Sequence, residues 1–293
     1  MSVRPTAVEN QFYPGDRNRI LAQIDEYFTR AGGLPTTFDD PPVTGVVVPH
    51  AGYMYSGPTA ARSYRALARG FNNVDVFILL GPSHTGLGHK ISVSKMDFDT
   101  PLGVVENDTE LADLMLKRSS IIRHSEEAHI LEHSIEVQLP FLQYIARTAG
   151  TDFKILPIAM MTQNIQHAKA VGRAIHDAQK ESGKRICVIA SSDFTHGGAG
   201  YGFIPCPRNQ LVDWMHDHDG TALKMISQLD IDGFFEHKAK YKLTICGSGP
   251  IGALLEYANL AGAESGKILQ YATSYDVSRN TRQVCGYGSV VIE

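Results

Sequence analysis

The stretch VDVFILLGPSHTGLGH, residues 74–89, decides the fold. It opens with an almost unbroken apolar run over residues 74–80, the pattern of a β-strand that is covered on both faces. It then turns into a polar segment that contains glycines and His84. A buried strand that ends in a polar turn is typical of parallel sheets in α/β proteins, whose active sites lie beyond the carboxyl ends of the strands.

Two other apolar strands end in the same way. Residues 44–48 (TGVVV) run into PHAGYMYSG, which contains His50. Residues 185–190 (RICVIA) run into SSDFTHGG, which contains Asp193 and His196. Because the carboxyl ends of parallel strands meet at one edge of a sheet, we expect these side chains and the histidine of the first stretch to converge there.

The rest of the chain alternates helical and strand patterns. Helices are predicted over residues 58–69, 108–117, 132–147, 165–180, 209–228, 232–238 and 250–261, and further strands over residues 153–158, 269–275 and 287–292. The linker-like stretch AGGLPTTFDDPP, residues 31–42, lies too near the N-terminus to separate two domains. The sequence therefore predicts an α/β fold, with a mostly parallel central sheet flanked by helices, in a single domain over residues 1–293.

Composition excludes several classes of protein. The chain has 293 residues, of which 43% are hydrophobic and 20% charged, so it can bury a large core and is not disordered. A net charge of −4 gives no electrostatic reason to expect nucleic acid or an anionic membrane as partner. The N-terminus carries no apolar run, so no signal peptide is predicted. No stretch of the sequence approaches the ~18 apolar residues that a membrane span needs. We expect a cytoplasmic protein whose four cysteines remain thiols.

Histidines at the ends of neighbouring strands suit a transition metal, because neutral imidazole is a common ligand of Zn, Fe and Cu. A third ligand is needed, and the residues offer two candidates, Asp193 and Cys246. Cys246 precedes a helix predicted to begin near Pro250, a position that stabilises a thiolate. The alternative is that Cys246 is a small buried hydrophobe, as Cys187 within its apolar strand is expected to be.

One further motif points to a different chemistry. His129-Ile-Leu-Glu132-His133 matches H-x-x-E-H, in which two histidines one helical turn apart bind zinc in a metalloprotease. The match is short, and the segment EHSIEVQLP, with Glu136 one turn further on, is also consistent with a solvated helix face. Spacing alone leaves both interpretations open.

Five blocks together resemble the Memo family, which in prokaryotes is named AmmeMemoRadiSam system protein B. The blocks are PHAGYMYSG, GPSH, EHSIE, SSDFTHGG and TICGSGPIG, they stand in the family's order, and the resemblance extends from about residue 13 to the C-terminus. It implies a fold similar to that of the class III extradiol dioxygenases, which hold a non-haem Fe(II) on an α/β scaffold. It also implies that His50, His84 and Cys246 are the metal ligands.

The same resemblance implies roles for the residues around the metal. His196 would be the acid/base residue, with Asp193 beside it. Glu132 and His133 would contact the metal ligands and orient them. The family pattern has no fixed histidine at position 129, which disfavours the metalloprotease interpretation. The aromatic side chains of Phe12, Tyr53 and Tyr55 are expected in the walls of the pocket, with core packing as the alternative.

A thiolate ligand distinguishes this pattern from true dioxygenases, which use two histidines and a carboxylate. Thiolate is softer and shifts metal preference towards Cu(I), Zn or altered Fe chemistry, so we expect one transition metal ion, Fe(II) first, with Cu or Zn as alternatives. The predicted function is a metal-dependent redox protein, dioxygenase-like, acting on a small aromatic or phenolic substrate. The alternatives are a non-catalytic protein that binds metal or peptide in the same pocket, and a zinc-dependent hydrolase.

Animal members of the family are described as binding phosphotyrosine peptides. The loop GGAGYGF that follows His196 carries no Arg or Lys to pair with a phosphate. A small molecule or an unphosphorylated peptide is therefore the expected partner, and nucleic acid and membrane are not.

Overall fold

The apolar run of the opening stretch forms the strand β3 (Val76–Pro82), and every one of its residues is buried. In the computed structural model, which describes residues 2–293, this strand lies inside a ten-stranded sheet. The other strands of this sheet are β2 (Gly45–Val48), β4 (Ile91–Val93), β6 (Glu106–Asn107), β7 (Arg123–His124), β8 (Lys154–Met160), β9 (Ile186–Ser191), β10 (His196–Gly197), β11 (Gly266–Thr273) and β12 (Val284–Ile292). Two short strands, β1 (Val3–Arg4) and β5 (Asp97–Phe98), pair with each other in a separate sheet.

The helices alternate with these strands along the chain. They are α1 (Arg17–Arg30), α2 (Tyr53–Ala68), α3 (Thr109–Arg118), α4 (Glu127–Ile130), α5 (Leu139–Ala149), α6 (Ile165–Ser182), α7 (Leu211–Ser227), α8 (Ile231–Tyr241), α9 (Ser248–Ala261) and α10 (Tyr275–Ser278). Between residues 2 and 293, none of them combines the length and the apolar composition that crossing a bilayer requires.

The sheet has a parallel centre and antiparallel margins. Its main path runs β10-β12-β2-β9-β3-β8-β4-β7, with β11 added beside β12 and β6 beside β8. Strands β2, β9, β3 and β8 are all parallel to their neighbours in this group, whereas β12 and β4 join its two sides antiparallel. The expected α/β fold with a mostly parallel central sheet is confirmed.

Helices cover both faces of the sheet, which is why the central strands read as continuous apolar runs. On one face, Ile78 and Leu80 of β3 pack in a core with residues of α6 and α9. On the other face, Phe77 and Leu79 pack in a second core with residues of α1, α2 and α5. Successive residues of a strand point to opposite faces, so each half of the run serves a different core.

The register of the central strands brings their ends to one edge. Val48 pairs with Ser191, and Leu80 pairs with Ala190, so β2, β9 and β3 finish side by side. The turns that carry His50, His84 and Asp193 therefore leave the same edge of the sheet, as predicted.

Two predicted helices begin at the wrong residue. The helix expected over residues 132–147 is α5, which starts at Leu139 after a 3₁₀ turn at Glu136–Gln138. The carboxylate of Glu132 accepts backbone N–H bonds instead, which holds its segment as a loop. The helix expected from residue 58 begins at Tyr53, so Pro58 lies within α2 rather than in its first turn.

Candidate metal centre and pocket

A cavity of about 390 Å³ opens at this edge of the sheet. Most of the sequence-predicted site residues line it, together with several that the sequence did not indicate. The lining residues are Phe12, His50, Ala51, Gly52, Tyr55, His84, His133, Asp193, His196, Tyr201, Ser274, Ser278, Asn280, Gln283, Cys285 and Tyr287.

His50 is buried and its tautomer is fixed by hydrogen bonds. Its Nδ1 lies 2.8 Å from the hydroxyl of Ser191. That hydroxyl donates its only proton to the carbonyl of Ser134 at 2.7 Å and accepts a bond from Nε2 of Gln138 at 2.9 Å. The remaining lone pair of the hydroxyl must accept from His50, so Nδ1 carries the hydrogen and Nε2 keeps a free lone pair, as a metal ligand requires.

His84 is oriented in the same sense by a carboxylate. Glu132 accepts the backbone N–H of His84 and lies 2.9 Å from its Nδ1. Burial raises the pKa of Glu132, but the hydrogen bonds and charges of His84 and the charge of His133 outweigh burial and bring the pKa to about 2. An ionised carboxylate only accepts, so Nδ1 of His84 is protonated and its Nε2 is free.

A glycine permits this approach. A Cβ on Gly81, at the end of β3, would lie 2.4 Å from the hydroxyl oxygen of Ser134 and 2.8 Å from a side-chain carbon of Ile135. Only glycine lets the loop that carries Glu132 pass so close to the end of the strand.

His133 completes a group of three imidazoles. Its ring stacks on His84 with 4.5 Å between ring centroids and lies 4.7 Å from the ring of Phe12. Burial lowers the pKa of His133 to about 4, although the charge of Glu132 opposes the shift. The ligand nitrogens of His50, His84 and His133 all lie within 4.8 Å of one another, so His133, predicted only as a supporting or pocket residue, stands where a ligand would.

Cys246 reaches the same place from another segment. Its Sγ lies 3.1 Å from Nε2 of His50, the nitrogen left free by Ser191. Gly247 allows this, because a Cβ there would lie 2.4 Å from the carbonyl oxygen of Ser191. Burial and the nearby charge of Asp193 raise the pKa of Cys246, in the direction opposite to the expected stabilisation of its thiolate. In the described residues, Cys246 is not in either group of three mutually close ligand atoms.

The second such group is formed by Asp193, His196 and Cys285. Sγ of Cys285 lies 3.4 Å from Nε2 of His196 and 3.7 Å from Oδ2 of Asp193. The other oxygen of Asp193 accepts the backbone N–H of His50 at 2.8 Å, which ties the two groups together. Nδ1 of His196 lies 3.1 Å from the carbonyl of Thr244, which can only accept, so in the neutral ring the lone pair is on Nε2, beside Sγ of Cys285.

Sequence reasoning missed Cys285, which had no partner that spacing could reveal. It is the direct cross-strand neighbour of His196 in the β10–β12 pair. Residues opposite each other on antiparallel strands share a face, so this pairing places thiol and imidazole together. The strand β10 is two residues long and has no hydrophobic pattern, so it cannot be predicted from the sequence.

One other prediction fails on geometry, and the motif that the family resemblance had already disfavoured does not form a zinc site. Tyr53 is buried in the core, where its hydroxyl donates to the carbonyl of Val137 at 2.7 Å, and it is not among the described residues that line the cavity. The H-x-x-E-H motif does not form a zinc-binding helix, because α4 ends at Ile130. His129 is buried, and its Nε2 lies 3.1 Å from the carbonyl of Ser92, away from the other two motif residues.

Comparison with known proteins gives the family. Residues 4–291 match the model of the family described as Memo-like protein. The chain belongs to this family. A MEMO1 family protein of Pyrococcus abyssi is 40% identical over 293 residues, and one of Thermococcus kodakarensis is 41% identical over 292 residues, each alignment covering 99% of both chains. A MEMO1 family protein of Methanosarcina acetivorans is 39% identical over the full length of both chains.

The Memo-like resemblance predicted from the five sequence blocks is thus confirmed. A solved structure of an uncharacterized protein from Escherichia coli K12 overlaps 74% of this Memo-like chain and 85% of its own, with a TM-score of 0.45 and 14% identity. The family assignment rests on the family model and the full-length relatives. In this Memo-like chain, each of the four blocks that end a central strand or carry EHSIE supplies a residue to the cavity.

Proposed function

We propose that this Memo-like protein is a metal-dependent redox protein that oxidises a small aromatic or phenolic molecule in the cavity. The observation that carries the proposal is the pair of imidazoles, His50 and His84, whose Nδ1 hydrogens are held by Ser191 and Glu132. In the neutral form, both rings therefore keep an unprotonated Nε2, which is the form that binds a transition metal.

The donor set fits one transition metal ion, with Fe(II) expected first and Cu or Zn as alternatives. His50 and His84 would supply two ligands, and Cys246 would supply the third through the sulfur that lies 3.1 Å from Nε2 of His50. His133 is the competing third ligand, because its nitrogen is close to both other imidazoles. When bound, Fe or Cu would supply redox chemistry at a position that the cavity makes accessible to a small molecule.

The cavity suits the proposed substrate class. Its volume of about 390 Å³ is that of a small-molecule site. Aromatic side chains of Phe12, Tyr55, Tyr201 and Tyr287 form part of its wall, and Asn280 and Gln283 add amide groups. Flat apolar walls with a few polar groups would hold an aromatic ring and orient a hydroxyl on it.

His196 is placed to move the proton of such a hydroxyl. Its Nδ1 hydrogen is engaged by the carbonyl of Thr244, so Nε2 can accept a proton from a phenolic O–H and return it later. The carboxylate of Asp193 lies on the same side of the cavity and would stabilise the protonated imidazole. Neither side chain is needed to fix the tautomers of His50 and His84, so their proposed role is separate from metal binding.

The test begins with protein purified without air and analysed for Fe, Cu and Zn. Oxygen consumption is then measured with a panel of catechols and phenols. We expect His196→Ala to retain the metal held by His50 and His84 and to lose about 10²- to 10⁴-fold in rate, the usual contribution of general acid–base catalysis. Equal oxygen consumption by wild type and His196→Ala with every substrate would remove the catalytic role.

The alternatives predict different results. A non-catalytic protein that binds metal or peptide would consume no oxygen with any substrate, and His196→Ala would change only the affinity for a ligand. A zinc hydrolase would copurify with Zn and would keep its activity when oxygen is excluded.

A further inference from the structure

We propose that Asp193, His196 and Cys285 form a second metal site, distinct from the one built on His50 and His84, that takes a divalent ion of zinc type. The three side chains offer one oxygen, one nitrogen and one sulfur, all within 4.8 Å of one another. This mixture of donors is one that Zn²⁺ accepts, usually with a water or substrate in the fourth position. The site itself does not depend on the proposed redox function; only its expected effect on turnover rests on that function.

The distances from the sulfur to the other two donors match those around a bound zinc ion. With Zn–S of about 2.3 Å and Zn–N or Zn–O of about 2.0 Å, a tetrahedral angle separates sulfur from nitrogen or oxygen by roughly 3.5 Å. The observed separations from Sγ of Cys285 are 3.4 Å to Nε2 of His196 and 3.7 Å to Oδ2 of Asp193. The sulfur thus already stands at ligand spacing from both partners.

Each donor is held by a contact behind it, as in established metal sites. Nδ1 of His196 is 3.1 Å from the carbonyl of Thr244, and its backbone N–H donates to the hydroxyl of Thr244 at 2.7 Å. Oδ1 of Asp193 is occupied by the backbone N–H of His50, so only Oδ2 is available, as a single-oxygen ligand. Cys285 is fixed by the β12 ladder directly opposite His196.

The fourth coordination position of such an ion would be open to the cavity. Asp193, His196 and Cys285 all line the same cavity, so an ion among them would face open space rather than packed side chains. Binding requires the thiolate, so the S–H proton of Cys285 leaves to solvent as the Zn–S bond forms. The balanced step exchanges one proton for one divalent ion at this sulfur, with no oxidation or reduction.

Occupancy of this site would interfere with the acid–base role proposed for His196. The ion and the substrate proton would compete for the same Nε2 lone pair. Zinc in excess of the first equivalent is therefore expected to suppress turnover. Such inhibition would link the protein's activity to the availability of free zinc.

The experiment counts metal ions. Metal-free protein is titrated with Zn²⁺ against a chromophoric chelator, and with Co²⁺, whose thiolate ligands give an intense near-ultraviolet charge-transfer band. We expect two equivalents for wild type and one for Cys285→Ser, with loss of the second ion's share of the cobalt band. Its binding should weaken by more than the about 10- to 100-fold that is typical when only a partner of a ligand is changed. Cys246→Ser is expected to keep the second ion, because its sulfur belongs to the first site.

Cys206→Ser is the matched control, since this thiol packs beside Leu211 and Met215 away from the cavity. It should bind as wild type. If Cys285→Ser does not fold, His196→Ala replaces it and should lose the same ion. Retention of two equivalents by a folded Cys285→Ser or His196→Ala would overturn the second site. A single equivalent in wild type that survives both changes would overturn it as well, whatever the oxygen assays show.

Discussion

Replacing Glu132 by glutamine tests whether the hydrogen bonds behind His84 prepare it as a ligand. The carboxylate is 1% exposed and accepts from three donors, which are the backbone N–H and Nδ1 of His84 and the backbone N–H of Ser134. Glutamine has the same shape but carries an NH₂ in place of one oxygen. Whichever way the amide turns, that NH₂ meets an N–H that donates towards it.

The expected cost follows from these contacts. The substitution removes the negative charge that Nδ1 of His84 faces and leaves at least one buried donor without an acceptor. Changing such a partner of a ligating histidine typically lowers metal affinity about 10- to 100-fold. That range corresponds to about 1.4–2.7 kcal/mol, close to the value of a hydrogen bond to a charged group, about 1.5–3 kcal/mol.

The assay is competition for Zn²⁺ and Fe²⁺ between protein and a chelator of known affinity, with folding checked by circular dichroism. Glu110→Gln is the control, because Glu110 is 89% exposed and lies in α3, away from the cavity. A folded Glu132→Gln protein that binds both metals as tightly as the control would refute the claim that Glu132 fixes the tautomer of His84 for metal binding.

Three further predictions concern other parts of the molecule. Cys246→Ser should lower metal content more than His133→Ala, because the sulfur lies 3.1 Å from Nε2 of the shared imidazole; elemental analysis checks this, and the reverse order would make His133 the third ligand. Arg4→Ala leaves the buried carboxylate of Glu136 unpaired and should cost about 3–5 kcal/mol in urea unfolding, whereas a loss below about 1 kcal/mol would show that the pair contributes little. Burial raises the pKa of Asp219 from 3.8 to about 6, against the hydrogen bonds it accepts. Because this folded-state pKa is above the unfolded one, protonated Asp219 contributes fully to the free energy of unfolding below pH 3.8, and the contribution, about 3 kcal/mol, is lost as pH rises through 6. Unfolding of wild type and Asp219→Asn at pH 4, 5.5 and 7 should show that wild type loses stability relative to the variant, and parallel pH profiles would contradict this.

The sequence was sufficient to predict the site residues that directly follow the central strands. Apolar runs locate the central strands, and parallel strands in an α/β sheet finish at one edge, so the convergence of His50, His84 and Asp193 followed from pattern alone. The same reasoning could not place Cys285, because its neighbour His196 lies on a two-residue strand that pairs only in the folded molecule.

Helix patterns failed where side chains compete with the backbone. The residues after Glu132 have a helical hydrophobic spacing, yet the carboxylate accepts the backbone N–H groups of both His84 and Ser134, and these contacts hold its segment as a loop. The resulting loop turns His133 towards His84 and away from the solvated face that the spacing suggested. A contact between residues 48 positions apart decided the local structure, and no window of sequence contains it.

The cavity imidazoles of His50, His84 and His196 each donate the Nδ1 hydrogen to a different kind of acceptor, and the acceptor determines what each ring can do. His50 donates to the neutral hydroxyl of Ser191. Burial, together with the charges of neighbouring histidines, lowers the pKa of His50. His84 is subject to the opposite influence: burial lowers its pKa, but the hydrogen bond and charge of Glu132 overcome burial and raise it. A carboxylate partner makes His84 the stronger electron donor to a metal, whereas the buried His50 stays neutral over a wider pH range. His196 donates its Nδ1 hydrogen to the carbonyl of Thr244, which fixes the tautomer without adding a charge. Its Nε2 lone pair can therefore accept either a substrate proton or an ion beside Cys285.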